Sequence, residues 1–493
     1  MPYELPPELW LQIFHYAAED EPLFDYALPT SMTESSWSKR VMSDGWTLRA
    51  PNDLIEIMHR KSFATKKAIV STCRAWRDLG TEFLFRCFLF GDPSRFQQLR
   101  VILDADNSLG RRAKRLHIAR FYAGHGSTLE ETQDALVSII RHCPNLEAFI
   151  VTWSFSNSLA AVVDALCTYC PRNLRTLQLY IPTSGIAKAI LMLDSLPALV
   201  SVHFQFEGVS SENIRLGSTS AVTLTLNSLE QLQLRGPFQE FLEQATGWKL
   251  PALRSLSLDF LSFRDDLPDI IEFLTHHGDD LTYLDINCVP ALDVATILDL
   301  CPNLTTFAFN PDWRIASTYD ITGVGGTLVH RPHEHITTIG CHQLLHAFDV
   351  GDAAKHLAID PLATLLVQRR NDRNFAALTK RDFPRLQRVR VLNRTLLRDL
   401  EAADGPQGDA YERWERWWDQ CARQGIRLED CTGALLGTLP LEEEDDESES
   451  ESEDDEAYLA PLREVLEECR QLPSVDESEY FFTHANGSMH HSE

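Results

Sequence analysis

The sequence predicts an α/β solenoid in which repeated strand–helix units follow a small helical N-terminal unit and precede a disordered acidic segment. Three observations support this fold class. A short apolar motif recurs along most of the chain, two amphipathic helical patterns lie near its start, and residues 442–456 carry 12 acidic groups and no basic one. With 493 residues, of which 44% are hydrophobic, the chain is long and apolar enough to bury a large core.

The recurring motif is a small or Pro-containing turn followed by Leu-x-x-Φ-x-Φ, where Φ is apolar. Weaker copies begin at Ala113 and Ile336, and the first Leu of the others falls at Leu146, Leu174, Leu199, Leu229, Leu253, Leu281, Leu304 and Leu386. Copies from Ala113 to Ile336 lie 23 to 33 residues apart, and helical patterns such as SLAAVVDALCTYC fill the intervals. Since one such unit cannot bury its own apolar face, we expect stacked strand–helix repeats.

Two further helices are predicted from apolar residues at helical spacing in PELWLQIFHYA and in KKAIVSTCRAWRDL. Pro6 and Pro7 suit the first turn of the first helix, where a missing N–H costs nothing. A lone helix cannot bury the apolar face that Leu9, Ile13 and Phe14 form. The two helices are therefore expected to pair, and the pair is too small to cover all of its apolar residues.

LPPELWLQIF followed by IVSTCRAWRDL resembles the F-box, whose pattern is Leu-Pro, an apolar helix, and Val-x-x-Cys-(Arg/Lys)-x-Trp. The resemblance, to fungal F-box domain proteins, implies docking onto the Skp adaptor of a cullin–RING (SCF) ubiquitin ligase. The implied adaptor-binding residues are Leu5, Pro6, Leu9, Trp10, Ile13, Phe14, Val70, Cys73 and Trp76. The rings of Trp10, Phe14 and Trp76 pack either within the helical unit or against the adaptor.

The span from Pro6 to Trp76 exceeds an ordinary F-box, so residues 20–62 are predicted to form an inserted loop within an F-box of residues 1–90. A linker helix over 91–110 follows. Residues 111–440 resemble leucine-rich repeats, which implies an irregular horseshoe. A cap at 395–433 carries an aromatic stripe of Tyr411, Trp414, Trp418 and Cys421. Residues 441–457 are an acidic low-complexity segment, and 458–493 are predicted to form a short helix and a disordered tail.

Alternation along each strand directs the residues between the apolar positions toward one face, the predicted concave face of the solenoid. These side chains are polar with few charges, which suits hydrogen bonding to a protein segment. The predicted substrate-binding residues are Gln178, Tyr180, His203, Gln205, Gln233, Arg235, Asp259, Tyr283, Asp285 and Asn287.

The net charge of −27 disfavours nucleic acid and anionic membranes as partners. No secretory signal opens the chain and no apolar run is long enough to span a bilayer, so a cytoplasmic or nuclear location is expected. The 11 Cys, odd in number and scattered, are expected to be reduced thiols.

No motif indicates catalysis, a cofactor or a metal. His330, His333, His335, Cys341 and His342 fit no zinc spacing. The Cys167-x-x-Cys170 pair lacks the βαβ context of a redox motif, so packing is the preferred interpretation. The chain is therefore expected not to be an enzyme, and any transferase activity belongs to partner subunits.

The favoured hypothesis is a substrate receptor that binds the Skp adaptor, and through it the cullin and RING subunits, together with an unidentified protein substrate. The alternative is an acidic leucine-rich nuclear scaffold that binds basic proteins through residues 442–456. Ser448, Ser450 and Ser452 precede acidic residues, as acidophilic kinases prefer, and their phosphorylation would deepen the negative charge.

Overall fold

The structure is a computed structural model of the chain. It describes residues 5–18, 20–39, 46–91, 95–119, 129–154, 159–208, 219, 222–260, 270–287, 293–312, 328–352 and 359–438. The acidic segment and the C-terminal helix and tail predicted from sequence lie outside the described residues.

Twelve parallel strands form one sheet in which each strand pairs with those that precede and follow it in the chain. They are β3 Cys87–Phe90, β4 Arg115–Ile118, β5 Ala148–Ser154, β6 Thr176–Pro182, β7 Ser201–Glu207, β8 Gln231–Arg235, β9 Ser255–Asp259, β10 Tyr283–Asn287, β11 Thr306–Phe309, β12 Thr338–Cys341, β13 Arg388–Val391 and β14 Arg427–Glu429. Two earlier strands, β1 Ser36–Lys39 and β2 Trp46–Arg49, pair antiparallel with each other.

Helices connect the strands and flank the sheet. They are α1 Pro7–Ala18, α2 Pro51–Thr72, α3 Arg74–Leu84, α4 Phe96–Ala105, α5 Asn107–Gly110, α6 Leu129–His142, α7 Leu159–Tyr169, α8 Ile186–Ser195, α9 Gln239–Thr246, α10 Ile270–His277, α11 Val294–Leu300, α12 Pro361–Ala376, α13 Arg394–Ala402 and α14 Asp409–Arg423. Among the described residues, no helix has both the length and the apolar character needed to cross a membrane.

Each copy of the apolar motif supplies one strand, which begins two residues after the first residue of the copy. In β9, for example, Leu256 and Leu258 are buried while Ser255, Ser257 and Asp259 are partly exposed. Because side chains alternate along a strand, the leucines face the helices and form a hydrophobic core that runs from Val70 to Leu436. The opposite, polar face of the sheet carries the predicted substrate-binding residues.

The predicted fold class, an α/β solenoid with a small helical F-box and a leucine-rich-repeat horseshoe, is wrong. The structure shows an α/β arrangement built on a single twelve-stranded parallel sheet with flanking helices. The N-terminal residues do not form a separate unit, because β3 follows α3 closely and joins the sheet edge, and Val70, Leu84 and Phe85 belong to the common core. The sequence pattern indicates only that each helix is amphipathic. An amphipathic helix can belong to an independent domain or to the first layer of a larger one, so the pattern does not distinguish the two.

The predicted inserted loop contains regular structure. It includes the β1–β2 hairpin and the first half of α2, which starts with Pro51 in its first turn. The Asp53 carboxylate accepts a hydrogen bond from the Ala50 N–H at 2.8 Å, which satisfies one donor at the start of the helix. The predicted linker helix over 91–110 corresponds to α4 and α5.

At the far end of the sheet, α14 covers the last strands with a different ring from those predicted. Trp417 is buried and stacks on Phe375 with ring centroids 4.1 Å apart. Trp414 and Trp418 are partly buried, whereas Tyr411 is 51% exposed. Cys421 of the predicted stripe is buried as well, so the predicted stripe lacks only Trp417, which is the main anchor, and includes Tyr411, which is exposed.

Candidate functional site

Helices α1 and α3 meet through an aromatic cluster. The ring centroids of Trp10 and Trp76 lie 4.8 Å apart, and those of Phe14 and Trp76 lie 5.1 Å apart. Phe14 is 1% exposed and Val70 is 2% exposed, so these two predicted adaptor residues hold the helices together. Gly80 allows α3 to approach α2 closely, because a Cβ there would lie 2.9 Å from a methyl group of Val70.

A row of apolar side chains on α1 and just before it faces solvent. We call this row, Leu5, Leu9, Ile13 and Tyr16, the α1 face; its members are 40%, 41%, 44% and 77% exposed. Pro6 and Cys73 are also exposed, and Trp10 and Trp76 are partly exposed. Sequence alone left open where the rings pack, and the structure shows that they pack on each other beneath the exposed row.

Residues 20–35, which we call the strap, leave α1 and lie across the polar face of the sheet. The strap was predicted only as part of a loop, and it contacts strands from β4 to the end of the sheet. Most of the hydrogen bonds between the strap and the sheet are made by main-chain groups of the strap. Their partners are the side chains of Arg115, Thr176, Gln231, Gln233 and Arg390.

The centre of the strap is held by a paired amide. The Leu28 N–H donates to Gln231 Oε1 at 2.8 Å, and Gln231 Nε2 donates to the Leu28 carbonyl at 2.9 Å. Gln233 Nε2 donates to the Pro29 carbonyl at 3.1 Å. Leu28 itself is 5% exposed, so this segment is bound as an extended chain with its polar groups satisfied.

Charged side chains anchor both ends of the strap. Asp20, fully buried, lies 2.8 Å from Lys66 Nζ on α2, and Arg86 and His15 are also close. At the other end, Arg390 donates to the Met32 carbonyl at 2.9 Å and pairs with Glu34 and with the buried Glu429. The strap thereby connects the N-terminal helices to the last strands of the sheet.

We expect Gln231→Leu to destabilise the protein by about 1–3 kcal/mol, because it leaves the Leu28 N–H and carbonyl unsatisfied under a packed surface. Urea unfolding at pH 8 measures the loss. Gln205→Leu is a matched control on the neighbouring strand, outside the strap's hydrogen bonds. Equal effects of the two changes would contradict a strap held through Gln231.

The strand register sorts nine of the ten predicted substrate-binding residues into two rows, and Tyr283 lies in the row of Gln231. Gln178, His203, Gln233 and Asp285 lie in the inner row, beside the strap. The next row, which we call the outer row, consists of Tyr180, Gln205, Arg235, Asp259 and Asn287. Among the described residues, no hydrogen bond joins the strap to the outer row.

Two of the predicted residues already contact the strap. Gln233 donates to the Pro29 carbonyl, and the Tyr283 hydroxyl lies 3.0 Å from the Ser31 hydroxyl. Both contacts are made with a chain segment that is distant in sequence. The periodicity of the strands therefore does not predict them.

Charged groups cluster near β9 and β10. Arg235 Nε lies 3.1 Å from Asp259 Oδ2, and Asn287 donates to Asp259 at 2.9 Å. His342 Nε2 lies 2.6 Å from Asp285 Oδ1. Burial favours the neutral forms of both groups, but their mutual attraction prevails, so the pKa of His342 is raised and that of Asp285 is lowered. The attraction between the two side chains therefore favours the charged form of each.

The histidines that were grouped in sequence separate in the structure. His330 contacts Asp299 at 2.8 Å, His333 contacts the Cys301 carbonyl at 3.0 Å, and His342 reaches Asp285. Among the described residues, no group of three or more His, Cys, Asp or Glu side chains is arranged to hold a metal. Cys170 is buried, and burial raises its pKa to about 12, as expected of a packed thiol.

A scan of the sequence against models of protein families finds no match. A search of curated proteins finds no significantly similar sequence.

Proposed function

We propose that this chain is a non-catalytic substrate receptor of an SCF-type cullin–RING ubiquitin ligase. The α1 face and the neighbouring Cys73 and Trp76 attach to the Skp adaptor, and the polar face of the sheet binds a target protein. The exposed α1 face carries the proposal, since four apolar side chains at 40% to 77% exposure lie on helix α1 or just before it. Such a row on a soluble surface is typical of a protein interaction site.

The aromatic cluster beneath the α1 face supports this assignment. Phe14 is buried between α1 and α3 and contacts the ring of Trp76, so the backbone of α1 is fixed before a partner binds. A rigid apolar surface loses little conformational freedom on binding, and this favours affinity. The F-box resemblance identifies the Skp adaptor as the partner of this surface.

The outer row is the part of the predicted substrate face best placed to receive a target. Its amide, hydroxyl and charged groups lie one row further from the strap than the inner row, and the strap is itself an extended chain bound through main-chain groups. We infer that an extended segment of the target lies along the outer row in the same manner. Ubiquitin transfer is then accelerated by proximity, with the chemistry supplied by partner subunits.

The same proposal places the chain in the cytosol or nucleus. The described cysteines are free, and most of them are buried. Reduced thiols are the ordinary state in those compartments.

Leu9→Asp combined with Ile13→Asp tests the adaptor site. Because both side chains are exposed, the fold should be retained, while burial of two carboxylates in an apolar interface should weaken binding at least 100-fold, or about 3 kcal/mol. Binding of purified Skp adaptor is measured by titration calorimetry. Arg235→Ala, in the outer row, is a matched control and should bind the adaptor normally.

Point variants are preferable to removal of residues 1–90, because that removal would take away the strap and β3. Wild-type protein that fails to bind the adaptor would contradict the proposal. The scaffold alternative predicts instead that basic proteins bind, that deletion of 442–456 abolishes their binding, and that salt weakens it.

A further inference from the structure

A narrow cleft lies between the strap, the start of α2 and strands β4 to β6. Its cavity volume is about 30 Å³. The strap supplies one wall, including Pro22 and Asp25, and the residues of the opposite wall and floor are Asn52, Ile55, Arg115, His117, Ile150, Thr152 and Gln178. This cleft is separate from the α1 face and from the outer row.

The floor of the cleft holds a buried cation without a carboxylate partner. Arg115 is 5% exposed, and its Nη1 donates a hydrogen bond to the Leu23 carbonyl at 2.7 Å. Among the described residues, no carboxylate lies within salt-bridge distance of Arg115, whereas the neighbouring Lys66 is neutralised by Asp20. Burial lowers the pKa of Arg115, and no nearby carboxylate opposes that effect.

His117 is a second buried polar side chain in the cleft. His117 is 4% exposed and forms no hydrogen bond with any described residue. Burial, followed by the positive charge of Arg115, holds its pKa well below the ordinary value, so it is neutral and retains one N–H donor. An anion beside both groups would accept hydrogen bonds from each of them.

The start of α2 adds further positive potential. This helix has 22 residues, and Asn52 in its first turn lines the cleft. The N–H groups of a first turn have no acceptor within the helix, and the helix dipole favours negative charge there. Two carboxylates lie nearby: Asp53 accepts from the Ala50 N–H, and the exposed Asp25 accepts from the Ala27 N–H at 3.0 Å.

We propose that this cleft binds a single phosphate-sized oxyanion, with Arg115 as its counter-ion and His117, Gln178 and the first turn of α2 as hydrogen-bond donors. The cavity volume of about 30 Å³ is too small for a whole nucleotide, so the ligand that enters the cleft is a small anion. The phosphate is either free or attached to a molecule that remains outside the cleft. The inference does not depend on the proposed ligase function.

Titration calorimetry of the full chain with inorganic phosphate tests the inference, with ionic strength held constant by chloride. Wild-type protein should show saturable binding, and Arg115→Met should bind at least tenfold more weakly. Asp25→Asn should bind several-fold more tightly, because it removes the negative charge at the rim. Arg235→Ala is the matched control, since it removes a cation from the same face outside the cleft.

Titration with O-phosphoserine distinguishes a free phosphate from one that is attached to a larger molecule. Acetate binding as tightly as phosphate would overturn the assignment to a phosphate-type ligand. Wild-type protein without saturable phosphate binding, or Arg115→Met with wild-type affinity, would overturn the site. If Arg115→Met does not fold, Gln178→Leu replaces it in the titration. The site would then be overturned if both Gln178→Leu and Asp25→Asn bound phosphate with wild-type affinity.

Discussion

Asp20→Ala is expected to destabilise the protein by about 3–5 kcal/mol, because it leaves the buried Lys66 ammonium without its counter-ion. Asp20 is fully buried and Lys66 is 3% exposed, so water cannot replace the lost interaction without a rearrangement. Their atoms lie 2.8 Å apart, and Arg86 and His15 also contact Asp20. Urea unfolding at pH 8 measures the change.

Asp25→Asn is a matched control for Asp20→Ala. Asp25 lies on the same strap but is exposed, and its carboxylate accepts a single hydrogen bond from the Ala27 N–H. We expect a loss below about 1 kcal/mol. If both changes had the same effect on the free energy of unfolding, the Asp20 anchor would not be a principal attachment of the strap.

The double variant Asp20→Ala with Lys66→Met separates the ion pair from the general packing of the strap. Replacement of a buried pair by apolar groups is often neutral, whereas removal of one partner is not. The double variant should therefore be more stable than Asp20→Ala alone. A double variant that loses the sum of both single effects would show that the two side chains do not interact.

The positions of the strands could be predicted from sequence because they depend on local burial. Leucines at fixed spacing must face a core, and each copy of the motif gave a strand that began two residues after its first residue. The start of α2 also had a local signal, since Pro51 and Asp53 are typical of a first helical turn. The polar composition of the segment obscures that signal.

The strap could not be predicted because its contacts have no period. Main-chain carbonyls of Leu23, Tyr26 and Pro29 accept hydrogen bonds from side chains on strands far away in sequence. A main-chain carbonyl is present at every residue, so sequence does not distinguish one that is bound from one that faces water. For the same reason, the polar residues of the sheet were identified, but their division into an inner and an outer row was not.

The stability of the protein is expected to fall steeply as the pH drops below about 6.5, the pKa of an unperturbed histidine. Burial lowers the pKa of His59 to about 3 and that of His203 to about 4. Burial also lowers the pKa of His117 well below its ordinary value. The folded state therefore holds these three rings neutral, while the unfolded chain takes up protons near pH 6.5.

The sign follows from proton linkage. Between the folded and unfolded pKa values the unfolded state binds more protons, so stability rises with pH in this range and levels off above about 6.5. A fully buried neutral histidine such as His59 lowers the free energy of unfolding at pH 5 by about 2 kcal/mol relative to its value at pH 8. His342 acts in the opposite direction, because its raised pKa gives stability that is lost as the pH rises above the unfolded value.

His59→Gln isolates one of the three contributions. Its amide can still donate to the Cys87 carbonyl, which the His59 ring contacts at 3.4 Å, but it does not titrate. In urea unfolding, the stability lost between pH 8 and pH 5 should be about 2 kcal/mol smaller than in the wild type, since residue 59 no longer takes up a proton on unfolding. A variant with the wild-type dependence would mean that His59 takes up a proton in the folded state. The buried floor beneath the strap would then be open to water, which the burial of Arg115 and His117 argues against.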